Sequence, residues 1–315
     1  MTTLRAMKNI LMHWRWLIPL LLFSSDALAW GLYTHVYFAQ LLLWSVPLTD
    51  PRFRRAVMAC PRLVLAGACL PDLSLVGRYH DAPALDGTHY WEQAQRQLRL
   101  AQTDAERALA LGYASHLLVD VIAHNHFVPA HEKMWGEVPW VTHAIAEWAM
   151  DRHIQRQLFA TPAELCTAHR HQLSAFIEQH FDCTRHNAWR SLRTLSRADA
   201  LLRGSRLHSL CYRGARVADD RLRQRFNHYL RETGGRLVQI NRILEGEVPQ
   251  WYAEPPCEAT ARERVGLCAP QQLRGRMPLP RDLFETELQT SNPSGYTRKA
   301  VVAPKRFSPP LEVRG

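Results

Sequence analysis

Two histidine–acid pairs, each one helical turn apart, dominate the chemistry open to this chain. His116 and Asp120 stand in His116-Leu-Leu-Val-Asp120, and His143 and Glu147 in His143-Ala-Ile-Ala-Glu147. A step of four residues along an α-helix returns to the same face, so each imidazole sits beside its carboxylate. A single such pair is ordinarily an ion pair or a satisfied core histidine. Here both lie among apolar neighbours, and the first helical pattern runs on to His124-Asn125-His126. Imidazoles and carboxylates buried together need a proton or a cation, and a divalent metal meets that need without leaving charge unpaired. Two more candidates stand upstream. Asp72 follows the apolar segment 63–70, where it could equally serve as a turn residue or helix cap. His89 is flanked by Tyr90 and Trp91, which could wall a pocket, though an isolated histidine is as readily a surface residue.

The N-terminus suggests a further ligand. Arg5, Lys8 and Arg15 precede the apolar run 16–23 and the small-residue ending Ala27-Leu28-Ala29. This is the pattern of a signal peptide over residues 1–29, cleaved between Ala29 and Trp30. The apolar run falls short of the ~20 residues a spanning helix needs. Cleavage would expose the α-amine of Trp30 beside its own carbonyl oxygen, a bidentate chelator, with His35 five residues on. Export predicts a secreted or periplasmic protein and an oxidising compartment. The seven cysteines (60, 69, 166, 183, 211, 257 and 268) form no CxxC pair, so disulfides are expected rather than a zinc–thiolate site. The nearest pairings along the chain are Cys60–Cys69, Cys166–Cys183 and Cys257–Cys268; spacing alone does not fix connectivity, and an odd count leaves at least one thiol.

The elements that must position these groups read as helices. Residues 36–46, 105–123, 142–159, 162–180, 188–202 and 219–244 carry apolar side chains at steps of three and four, and no stretch sustains period-two alternation. Thr161-Pro162 with Glu164 resembles a helix start. Residues 30–252 contain no Gly/Ser or Pro-rich linker, so one all-α multi-helix domain is expected, followed by a Pro-rich irregular or disordered tail over 253–315. Losing the signal removes three bases and one acid, lowering the net charge from +10 to +8. The arginine-rich stretch 185–242 is either the solvated face of long helices or a surface attracting anionic lipid or nucleic acid.

Taken in order, Trp-Gly at a signal cleavage site, His35, Asp72, His89, His116-x3-Asp120-x5-His126 and His143-x3-Glu147 resemble the zinc-dependent phospholipase C and S1/P1 nuclease superfamily, over roughly residues 30–151. The resemblance implies an all-helical domain with three zinc ions clustered in a cleft. One would take the amine and carbonyl of Trp30 with His35. Asp120 would bridge it to a second, held by Asp72, His89 and His116. The third would be held by His126, His143 and Glu147. Helix geometry leaves His124 and His126 open, diverging about equally from His116 at ~100° per residue; family spacing favours His126. His80 and Asp81 are lesser rivals for the middle ligands.

The implied activity is an exported metallohydrolase that cleaves a phosphodiester with zinc-activated water. Asp72 is either a pure ligand or a catalytic group that orients or deprotonates that water. Glu147 resembles the phospholipase branch, whereas the short Trp30-to-His35 spacing and Tyr90 or Trp91, which could stack on a base, resemble the nucleases. Leu73 stands where phospholipases carry a choline-pocket tyrosine. A phospholipase C-type hydrolase acting on phospholipid, with peripheral contact to an anionic membrane and no stable nucleic-acid complex, is the first expectation. An S1/P1-like nuclease or nucleotidase is the second, and a non-catalytic zinc- or lipid-binding protein the third.

Overall fold

The computed structural model describes residues 31–135, 139–251, 253 and 282–284, and among these there are helices and no strand. The expected signal segment, Trp30, Cys257, Cys268 and nearly all of the expected tail lie outside the described residues. The principal helices are α1 (Leu32–Ser45), α2 (Pro51–Ala59), α3 (Pro61–Gly67), α4 (Ser74–Gly77), α5 (Trp91–Leu100), α6 (Asp104–Ile122), α7 (Val128–Trp135), α8 (Pro139–Ile154), α9 (Pro162–Ala168), α10 (Arg170–His180), α11 (Arg185–Gly204), α12 (Leu207–Ala218), α13 (Leu222–Arg236) and α14 (Ile240–Leu244). No described helix is long and apolar enough to cross a membrane.

Helix α6 is the axis of the domain. Its start is fixed by a reciprocal cap, in which Thr103 Oγ1 accepts from Glu106 N at 3.1 Å and Glu106 Oε2 accepts from Thr103 N at 3.0 Å. From Ala108 to Ile122 every side chain is buried, so α6 is covered on all sides, as an all-round apolar helix must be. Its closest neighbour is α3. A Cβ on Gly112 would lie 2.0 Å from Val64 O, and one on Gly67 would lie 2.3 Å from Leu109 O. The two helices therefore cross backbone to backbone, an approach only glycine permits on either side.

Capping places other elements. Thr161 and Glu164 cap α9 reciprocally, at 2.8 and 3.2 Å. Helix α1 has no cap from its own sequence; instead Asp151, on α8, accepts from Thr34 N at 3.0 Å and Thr34 Oγ1 at 2.8 Å. That carboxylate fills the space where a Cβ on Gly31 would fall, 2.2 Å from Asp151 Oδ2.

Several boundaries differ from the sequence reading for identifiable reasons. Helix α1 starts four residues before the predicted 36, because its cap comes from a distant element. Residues 162–180 and 219–244 each break into two helices. Helices α2, α5 and α12 escape the apolar pattern because arginine- and glutamine-rich outer faces dilute it; in α2 only Phe53 and Ala56 are buried. No disulfide joins the described cysteines: Cys60, Cys69, Cys166, Cys183 and Cys211 are free. Cys69, just past α3, instead lies near Cys166 of α9, which together with burial pushes its thiol well up, and neither Cys60–Cys69 nor Cys166–Cys183 is formed. Leu283 and Phe284, within the expected tail, are buried, and Gln250 N donates to Leu283 O at 3.0 Å.

Gly112→Ala is expected to lower stability by about 1–3 kcal/mol or more, the usual cost of overpacking, because backbone must move to admit the methyl. Urea unfolding of the two proteins, compared at equal m-value, measures it.

Candidate metal centre

Asp120, near the end of α6, is the hub. Its Oδ1 lies 3.3 Å from His35 Nε2, and its Oδ2 lies 2.9 Å from His116 Nε2 and 3.6 Å from His89 Nε2. The two oxygens of one carboxylate thus face different imidazoles. His116 Nε2 is also 3.3 Å from His89 Nε2 and 3.9 Å from Asp72 Oδ1. The rings of His35 and His116 stack, with centroids 3.4 Å apart. Two groupings, His35–His116–Asp120 and Asp72–His89–His116, bring ligand atoms together closely enough to hold a cation, and all five residues are buried.

Local contacts aim these side chains. His116 Nδ1 donates to Ala68 O at 2.8 Å, the carbonyl just past the glycine contact of α3. That bond uses the ring's one proton in the neutral tautomer and turns Nε2, with its lone pair, toward the Asp120 carboxylate. Lone pair then faces lone pair at 2.9 Å, an arrangement that requires a proton or a cation between them. On the opposite wall Thr88 Oγ1 donates to Pro71 O at 2.5 Å and lies 3.4 Å from His89 Nδ1, while the Tyr113 hydroxyl donates to Thr88 O. Asp72 and His89 are thereby locked to the same small frame.

A second cluster lies on α8. His143 Nε2 is 2.7 Å from Glu147 Oε1, and its Nδ1 is 4.0 Å from Glu132 Oε1 on α7. The ring of His124 lies 5.5 Å from that of His143, whereas the ring of His126 lies 5.9 Å from Trp251. The reason is local: residues Ala123–Phe127 form a π turn rather than a continuation of α6. A π turn holds more residues per revolution than an α turn, so each residue advances less around the axis. That keeps His124 nearer the His116 face and carries His126 away from it. Such bulges recur at functional sites.

Electrostatics bind the clusters together. Burial pushes the Asp72 carboxyl up to about 8, with the charges of Asp120, Glu147 and Asp151 adding to the rise against the lowering effect of His116. Burial, then Asp120, Asp151 and Glu132, raises Glu147 well above the usual carboxylate range. Burial also opposes ionisation of Asp120, but His116 and His35 outweigh it and hold that carboxyl well below its ordinary value. Burial drives His89 and His124 down to about 3, leaving both neutral with lone pairs available. His124 Nε2 is buried with no hydrogen-bond partner among the described residues. Neutral imidazoles around crowded carboxylates are the donor set that suits zinc.

The remaining sequence candidates sort by position. Trp91 is buried, its indole N–H donating to Trp251 O at 3.1 Å, while Tyr90 is exposed beside His89. His80 instead bonds Thr194 Oγ1 at 2.7 Å, and Asp81 is an exposed left-handed turn residue. Glu132 and Asp151 were missed. Asp151 was readable, since His143, Glu147 and Asp151 stand at successive four-residue steps.

A helical domain whose buried core carries these clusters has the donor set of a metal-binding protein. The chain belongs to the zinc-dependent phospholipase C family, whose model matches residues 34–195, just over half of its length. No curated protein and no solved structure matches it. The family is one of zinc-dependent phospholipid hydrolases, and the buried His/Asp groupings support zinc binding here.

Zinc stabilisation should grow with pH. A carboxyl held up to about 8, as at Asp72, contributes stability below its unfolded pKa and loses it as pH rises from about 4 through 8. His89 and His124, held down to about 3, contribute stability above about 6.5 that is lost as pH falls. Between pH 6 and 8 the metal-free protein therefore weakens through its acids, while a bound cation takes those same acids charged. The Tm difference between zinc-loaded and chelator-treated protein should widen across that interval; a constant difference would break the link between these carboxyls and the metal.

Proposed function

We propose that this protein is an exported phospholipase C-type hydrolase that cleaves the bond between phosphorus and the diacylglycerol oxygen of phospholipids. The observation that carries this reading is the split presentation of Asp120, one oxygen toward His35 and the other toward His116 and His89. A carboxylate so placed suits a bridge between two ions. The first would be held by the Trp30 amine and carbonyl with His35 and Asp120, and the second by Asp72, His89, His116 and Asp120. The third would be held by His124, His143 and Glu147, with His124 replacing His126 on the strength of its position beside His143. Three protein ligands leave that ion a position open to water or substrate, unlike a closed structural site.

Zinc, when bound, supplies the Lewis acidity that makes hydroxide available near neutral pH and offsets charge on the phosphoryl oxygens. Asp72, in the same frame as His116, orients the attacking water and accepts its proton. Asp151 holds the start of α1 so that His35 reaches Asp120. The bond from phosphorus to the diacylglycerol oxygen breaks as the new oxygen adds in line, and the departing alkoxide takes a proton from solvent water. The exposed ring of Tyr90 beside His89 favours, as a second reading, a nuclease that stacks a base there.

Metal analysis of the signal-cleaved protein, coupled to hydrolysis of phosphatidylcholine, phosphatidylethanolamine and single-stranded DNA, tests the proposal. Diacylglycerol release with about three zincs per chain is expected; nucleotide release would transfer the site to the nuclease reading, and zinc without turnover would make the protein a binder. Asp120→Ala should lower kcat/KM by about 10²–10³-fold, the equivalent of several kcal/mol of lost metal assistance. His124→Ala should lose about one zinc per chain while His126→Ala retains all; the reverse would return the third site to His126. One extra residue before Trp30 should lower both zinc content and activity.

A further inference from the structure

Away from the metal centre, a cavity of about 810 Å³ opens between the C-terminal end of α8, the end of α11 and the start of α12. Its volume falls in the range of ordinary ligand sites. Arg152, Arg156, Arg203, Arg206 and Arg213 line it together with His208, and no carboxylate does. Arg203 is neutralised from behind, by Asp151 and by Asp199 at 3.1 Å. Among the described residues the other four guanidiniums have no carboxylate within 4.0 Å. Four like charges around one concavity repel one another, so the protein alone does not complete this site.

Its inner wall is built rather than incidental. Arg152 Nε donates to Ser209 Oγ at 3.0 Å, and Ser209 Oγ lies 3.4 Å from His208 Nε2, which is 3.3 Å from Gln155 Oε1. Arg203 Nη1 is buried with no hydrogen-bond partner, although the same guanidinium is fixed by Asp151, by Asp199 and by stacking 4.1 Å over the Tyr33 ring. Arg206 takes a left-handed backbone, φ 59°, to enter α12, a conformation that disfavours any residue with a Cβ. Burial, then the positive charge of Arg203 and of Arg152, pushes His208 down to about 4. His208 therefore stays neutral and adds no sixth charge.

We propose that this cavity is a binding site for a phosphate-bearing polyanion, distinct from the metal centre. Planar guanidinium forks match phosphoryl oxygens in pairs, and four without a counter-carboxylate call for more than one phosphoryl group. The inference does not depend on the reaction proposed above, since none of these four arginines is placed in the metal clusters. A soluble polyphosphate ester and the headgroup of a phosphorylated lipid present the same chemistry.

Inositol 1,4,5-trisphosphate is the soluble probe, titrated calorimetrically into the zinc-loaded protein; phosphatidylcholine vesicles with and without phosphatidylinositol 4,5-bisphosphate are the lipid probe. Wild type should bind one or both, with affinity falling steeply as salt rises. Arg156→Gln/Arg213→Gln, both changes at exposed side chains, should weaken binding at least tenfold while the Tm and the hydrolysis of short-chain phosphatidylcholine stay unchanged. The single charge reversal Arg213→Glu should act in the same direction should the double variant fold poorly. Vesicle recruitment that free trisphosphate displaces would assign a lipid headgroup, and trisphosphate binding without recruitment a soluble anion. Equal binding by wild type and both variants, or no binding of either probe, overturns the proposal.

Discussion

The contact on which the metal centre rests is the glycine-to-glycine crossing of α3 and α6. With Gly67 and Gly112 in place, Leu109 O and Val64 O occupy space that any Cβ would claim. The consequence reaches the chemistry within one turn in either direction. Along α6, His116 follows Gly112 by four residues; in the facing segment, Ala68 follows Gly67 directly, and its carbonyl accepts the hydrogen bond from His116 Nδ1. Asp72 comes four residues later, close enough to the same ring to complete a donor set. Widening the crossing would separate the carbonyl from the imidazole, and with it the orientation of every group that faces Asp120.

Once assembled, the centre is held in a state of electrostatic demand. Asp72, Asp120 and Glu147 are all buried, and their influences on one another run through the whole site. Only Asp120 is held firmly ionised, because His116 and His35 outweigh its burial; the others are driven toward their protonated forms. Helix packing alone does not explain three buried acids and at least two neutral histidines in one region, since each charged form pays desolvation without a matching basic side chain. A divalent cation changes the sign of that balance, turning mutual repulsion into shared coordination.

Much of this was legible in the sequence, and the exceptions have physical causes. The all-helical class and the His116–Asp120 and His143–Glu147 pairs follow from a four-residue period that needs no tertiary information. Which of His124 and His126 stands beside His143 did not follow, because a π turn alters the rotation per residue and nothing in Ala123–Phe127 announces it. Glu132 arrives from a neighbouring helix, and Asp151 was overlooked because it acts on the start of α1 rather than on its own surroundings. The cysteines show the same limit: Cys69 and Cys166 are 97 positions apart in the numbering yet in contact, which no reading of nearest spacing would join. Tertiary contacts between distant segments are what sequence period cannot supply.

Helix α8 shows how far one period can be used. His143, Glu147, Asp151 and Gln155 stand at consecutive four-residue steps along the end of the α8 region. The first two form the second acid–imidazole cluster, the third caps α1 just before His35, and the fourth lines the arginine cavity. Asp151 is the point of contact between the two ends, for its carboxylate receives both Thr34 and Arg203. Removing that carboxylate would leave the α1 amide without its acceptor and Arg203 without one of its two counter-charges. The residue that best explains why Gly31 must be glycine is therefore also the one that joins the candidate metal centre to a cationic surface through a single helical face.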